Sequence, residues 1–232
     1  MNNIFNGENT EKNKNSEAED KIESIKELGN TAVVTPNKNI QVLSIIGQIE
    51  GHMVLPPQTK ATRYEHIIPQ LIELEQNENV KGILIVLNTV GGDVEAGLAI
   101  AEMIKSMSKP TVSIVTGGGH SIGVPLATSA DYSFITPSAT MIVHPVRMNG
   151  FIIGVAQTFE YFKKMQERIN EFIVRTSHIK EDKLEEFMLQ TNELLNDVGT
   201  ILIGKQAVDC GLIDEVGGIK EALTKLKELT QN

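Results

Sequence analysis

The chain is short of cysteine, of positive charge and of long apolar runs, and each shortage excludes a class of protein. A single thiol, Cys210, closes no internal disulfide, so the fold cannot rest on a disulfide framework. Its setting, AVDCGL, is that of a small buried thiol rather than a reactive one. Basic residues number 21 against 30 acidic ones, a net charge of −9, which argues against a nucleic-acid backbone or an anionic membrane surface as the main partner. No apolar stretch approaches the ~20 residues that cross a bilayer, and the N-terminal stretch lacks the apolar centre of a signal peptide. A cytoplasmic location with no membrane span is therefore expected. Neither the Walker lysine-hydroxyl pair nor G-x-G-x-x-G spacing is present, and no cofactor or metal is called for.

What is present is enough apolar material, 41% of 232 residues, for one sizeable core. Residues 1–37 are rich in Asn, Glu, Lys and Ser and read as a disordered arm; residues 38–232 read as the folded domain. From Ile40 onward, short β-branched runs alternate with helix-period segments: IQVLSIIGQI, YEHIIPQLIELEQN, KGILIVLNT, VEAGLAIAEMIKSM. That order predicts an α/β fold with parallel strands joined by crossover helices. Pro69 predicts that the first helix starts near it or is kinked there. TVSIVTGG, SIGVPLATSA, YSFIT and TMIVHPVRM continue the alternation. A long helix follows, with Phe159, Phe162, Met165, Ile169, Phe172 and Ile173 on one face.

Two strand-to-helix turns carry glycine. In VSIVTGGGHSIG, Ser121 falls where a strand gives way to a helix, and GHSIG fits the G-x-S-x-G pattern of a nucleophile elbow. Taken alone, the same residues describe a serine N-cap on a buried helix. In LNTVGGDVEAG a second strand ends in a Gly-Gly pair, and Asp93 is expected to begin the helix after it. Two such turns side by side aim backbone N–H groups at one point, as an acyl-transfer transition state requires. Of five histidines, His144 is the candidate base, since it ends a strand where Pro145 favours extended backbone. His52, His66 and His178 fit solvated or capping roles, and His120 points away from its neighbour Ser121.

LNTVGGDVEAGLAIAEMI, SIVTGGGHSIGVPLATSAD, ATMIVHP and GKQAVDCGLIDEVGG, in that order, resemble the proteolytic subunit of the Clp protease family over about residues 40–220. The resemblance is strongest to a divergent translocation-enhancing branch in which the serine follows Gly-His. It implies a crotonase-like, ClpP-type fold of repeated ββα units with a handle helix. It also implies serine endopeptidase chemistry, with Ser121 as nucleophile, His144 as base, and the N–H groups of Gly91 and Ile122 as oxyanion donors. Implied partners are polypeptide substrates, further copies of the chain in a homo-oligomer of stacked rings, and an AAA+ unfoldase whose necessity is left open.

The chain departs from the family pattern at two places. Pro145 follows His144 directly where the family has Gln-Pro. The family's third triad residue aligns with Gly199, and the nearest acid is Asp197, which serves as well as a cap or turn residue. Asp209 and Asp214 are expected to be structural or interfacial. Other readings therefore stand beside the peptidase: a catalytically weak scaffold subunit, an acyl-CoA enzyme of crotonase type, or a Ser-Lys peptidase using Lys60, Lys81 or Lys109.

Overall fold

The computed structural model describes residues 39–147, 154–191 and 198–231. The arm expected over residues 1–37 lies outside them, as does Asp197. Strands β1 (Ile40–Glu50), β3 (Gly82–Gly92) and β4 (Thr111–His120) pair in parallel at the centre of one sheet. Their near-continuous β-branched and aliphatic runs suit strands covered on both faces, because side chains alternate between two layers. Ile83, Ile85 and Leu87 enter the larger core beside helices α1 (Tyr64–Gln76) and α2 (Val94–Lys105). Leu84, Val112 and Ile114 enter a smaller one closed by Ala222 and Leu226 of α7 (Ile219–Leu229). Helix α1 begins at Tyr64 and runs through Pro69 rather than starting there, with Ile67 and Leu71 on either side of the proline buried against the core.

Beyond the centre, β2 (Ala61–Arg63) flanks β1, while β5 (Tyr132–Ile135) and β8 (Glu215–Val216) extend the other edge. Strand β4 changes partner along its length. Val112 to Val115 pair with β5, and Gly118 to His120 pair with β6 (Thr140–Val143). Strand β6 in turn pairs antiparallel with β7 (Thr200–Ile203). This exchange sets β6 beside the end of β4, which is what positions the candidate site.

The short helix α3 (Gly123–Thr128) is buried along its whole length. The long helix α4 (Val155–Thr176) packs beside it through Met165, Ile169, Phe172 and Ile173, all buried. The apolar stripe foreseen along α4 is covered only in this second half, for Phe159 is 66% exposed. Helices α5 (Glu181–Leu189) and α6 (Lys205–Asp209) complete the described elements and, with β2, β7 and β8, have no counterpart in the sequence reading. Each is short, so hydrophobic periodicity has few residues in which to register. Asp93 caps α2 as expected, its carboxylate accepting from the Ala96 N–H at 2.8 Å. No helix among the described residues is long and apolar enough to cross a membrane.

Candidate active site

Ser121 follows the last residue of β4 and precedes α3 by one residue, at φ 57, the only non-glycine residue with positive φ among the described residues. A β-carbon in that region costs about 1–2 kcal/mol, so surrounding bonds must hold it there. They do: the Ser121 N–H donates to the Ile142 carbonyl at 2.9 Å, and the Ser121 carbonyl accepts from the Val124 N–H at 2.9 Å. The first bond ties the serine to β6, and the second closes the first turn of α3. The side chain is thus thrust from a sharp strand-to-helix turn, with the dipole and first N–H groups of the helix behind it.

The second glycine turn interlocks with this one. An added β-carbon at Gly91 would lie 2.7 Å from the Ser121 Cβ, and one at Gly97 of α2 would lie 2.3 Å from Ile122 Cγ1. Glycine is therefore required at both places for the two turns to touch. The register of β3 against β1 shifts at Gly47/Gln48, and against β4 between Leu87 and Thr89. Two side chains mend these breaks. Asn88 Oδ1 accepts from the Gly118 N–H at 2.9 Å, and Thr89 Oγ1 donates to the Gly47 carbonyl at 2.6 Å while accepting from the Gly91 N–H at 3.0 Å. The local signal for Asn88 and Thr89 is a polar pair closing an otherwise apolar strand.

His144 stands one residue beyond β6, two residues after the Ile142 carbonyl that holds Ser121. Its Nδ1 lies 2.7 Å from the Pro145 carbonyl oxygen. Because a carbonyl only accepts, this bond places the proton on Nδ1 and leaves Nε2 as the basic nitrogen. Ser121 and His144 line one cavity of about 140 Å³, walled by Ile122, Ile169, Ile173 and Met188. A hydroxyl and an imidazole on a shared apolar-walled cavity can perform base-assisted acyl transfer. No lysine among the described residues lines that cavity. Lys109 instead donates to the Leu74 and Asn77 carbonyls at the end of α1, and precedes β4 at the opposite end from Ser121.

His120 is half-buried and shares a 2.7 Å hydrogen bond between its Nε2 and Thr140 Oγ1. Burial, and secondarily the charge of His144, hold its pKa below the ordinary value of 6.5. It is a packed side chain of the β4–β6 junction. His52 contacts Tyr64, and exposed His178 lies 3.3 Å from Asp214. Asp214 also accepts from the Ser133 N–H and hydroxyl, and Asp209 pairs with Lys205, so both acids have structural partners. Burial pushes the Cys210 thiol up, in keeping with an unreactive sulfur.

Residues 37–220 match the family model of the Clp protease. The chain belongs to the Clp protease family. Its mixed sheet and flanking helices are accordingly a ClpP-type fold. Among its relatives, the translocation-enhancing protein TepA of Halalkalibacterium halodurans is 60% identical over 211 residues, covering 90% of this chain and 82% of that one. The ATP-dependent Clp protease proteolytic subunit 1 of Protochlamydia amoebophila is 30% identical over 156 residues, 65% of this chain and 72% of its own. A putative protease of Methanocaldococcus jannaschii is 28% identical over 207 residues, 78% and 65% of the respective chains.

Proposed function

We propose that the chain is a cytoplasmic serine endopeptidase that hydrolyses unfolded or small polypeptides within a homo-oligomeric chamber. The observation that carries this reading is the strained Ser121, hydrogen-bonded to the strand that delivers His144 to the same cavity. His144 Nε2 takes the Ser121 hydroxyl proton, and Oγ bonds to the peptide carbonyl carbon. The tetrahedral oxyanion is met by the N–H groups of Gly91 and Ile122. Its collapse breaks the C–N bond as His144 returns the proton to the leaving amine, and water then cleaves the ester by the same route. Asp197 is assigned the third role of orienting the imidazole, a role in which it takes the Nδ1 proton over from the Pro145 carbonyl. The half-uncovered stripe of α4 supports contact with another copy, and the reading admits both an unassisted chamber and one fed by an AAA+ unfoldase.

The test is covalent labelling of the purified protein with a fluorophosphonate, in which an Oγ–P bond forms and fluoride leaves. Mass spectrometry places the adduct on Ser121 in the wild type, and Ser121→Ala and His144→Ala abolish it. A folded wild-type protein that takes no label sinks the reading. A second reading, a catalytically weak subunit of the same family, draws on the Gly91 N–H being engaged by Thr89. Peptide hydrolysis by labelled-competent protein distinguishes the two.

A further inference from the structure

Gln166 of α4 holds the backbone that follows His144. Its Oε1 accepts from the Val146 N–H at 2.8 Å, and its Nε2 donates to Asn170 Oδ1 at 2.8 Å and to Met188 Sδ at 3.1 Å. A backbone N–H only donates, so the amide lies with its oxygen toward Val146. Asn170 is 8% exposed and Met188 4%, so both partners of the amide nitrogen are held by packing. One side chain thereby joins α4, α5 and the segment after β6.

The peptide it grips is the one that holds the imidazole. The Val146 N–H and the Pro145 carbonyl belong to the same planar unit, and that carbonyl oxygen is the one 2.7 Å from His144 Nδ1. The pyrrolidine ring sets φ of Pro145, which leaves its ψ as the torsion that swings this peptide. With the N–H bound to Gln166, that torsion is fixed as well, and the oxygen stays where it meets Nδ1. The bond to Gln166 also polarises the peptide, which makes its carbonyl a better acceptor.

We infer that Gln166 is a positioning residue for His144: by clamping the Pro145–Val146 peptide it keeps the proton on Nδ1 and the ring in the orientation that leaves Nε2 as the base for Ser121. The inference rests on the serine-peptidase reading. Asp197, assigned there to take over the Nδ1 proton, meets a ring that the clamped peptide has already oriented. Gln166 touches no reacting atom; it acts through the backbone.

The experiment measures second-order fluorophosphonate labelling of Ser121 in wild type, Gln166→Met and Gln166→Glu, each checked for folding by circular dichroism, together with crystal structures of wild type and Gln166→Met. Gln166→Met keeps the side-chain length without its acceptor, and the labelling rate falls about tenfold, the scale of one hydrogen bond. Gln166→Glu keeps an oxygen for the Val146 N–H and lets the Asn170 amide turn to donate, so the rate returns to near that of wild type. In the Gln166→Met crystal the Pro145 carbonyl has turned away from His144 Nδ1. Wild-type labelling by Gln166→Met, equal losses in both variants, or a carbonyl still on Nδ1 in Gln166→Met overturns the inference and leaves the peptidase reading intact. Absence of label on folded wild type overturns the peptidase reading and this inference with it. The wild-type crystal structure needs no variant, and a Val146 N–H bonded elsewhere than to Gln166 overturns the inference even if Gln166→Met fails to fold.

Discussion

Gly91 stands so close to Ser121 that a β-carbon added to it would lie 2.7 Å from both the Ser121 Cβ and the His120 carbonyl oxygen. The contact makes each glycine-bearing turn a wall of the other. Gly91→Ala must also place a side chain at φ 87, which costs about 1–2 kcal/mol on its own. On the peptidase reading, in which the Gly91 N–H is a proposed oxyanion donor, the combined strain lowers fluorophosphonate labelling of Ser121 by about a hundredfold or more. A variant that labels at the wild-type rate would remove Gly91 from the site.

His120 yields a pH prediction. Its folded pKa lies below the ordinary 6.5, through burial first and His144 second. Protonation therefore favours the unfolded chain, and the stability that neutral His120 confers is present above the ordinary value and lost as pH falls through the depressed one. Urea midpoints measured at descending pH fall more steeply for wild type than for His120→Asn over the range below about 6.5. Parallel curves would contradict the assignment.

Ile173 is 1% exposed and forms part of the cavity wall beside Ser121. Ile173→Val removes one methylene from a packed position and lowers stability by about 0.5–1.5 kcal/mol. It also enlarges the cavity, so cleavage of model peptides shifts toward bulkier apolar side chains next to the scissile bond. Denaturant melts and a peptide panel read the two effects separately.

Arg168 of α4 reaches both carboxylate oxygens of Glu95 in the first turn of α2, at 2.6 and 3.1 Å, and this pairing holds the Glu95 carboxyl below its usual range. Both side chains are half exposed. A double-mutant cycle with Arg168→Ala and Glu95→Ala therefore gives a coupling below about 1 kcal/mol, diminishing with salt. A coupling several times larger would mark the α2–α4 contact as a major strut.

The alternation of β-branched runs and helix-period segments was legible because β3 and β4 are covered on both faces along their first halves and each main helix on one, which imposes distinct periods. The strand-end placements of Ser121 and His144 were legible from their punctuation, glycines before one and proline after the other. Thr89 was not. Its hydroxyl gains a role from Gly47, 42 residues earlier, and from Gly91 beyond a bulge, and a register shift leaves no periodic trace. His120 was set aside because neighbours at a helix start point apart. Its burial against Thr140, on another strand, leaves no local trace in the sequence.

By itself, then, the sequence determined the order of strands and helices, the two glycine turns and the residue types able to perform acyl transfer, since all of these are local properties of backbone freedom and side-chain chemistry. Tertiary structure alone decided that β4 trades β5 for β6 along its length, that Ser121 is bound to the strand carrying His144, and that the Gly91 N–H faces Thr89. Those outcomes depend on which hydrogen-bonding groups distant strands bring together, and that pairing is settled only when the whole sheet closes its ladder.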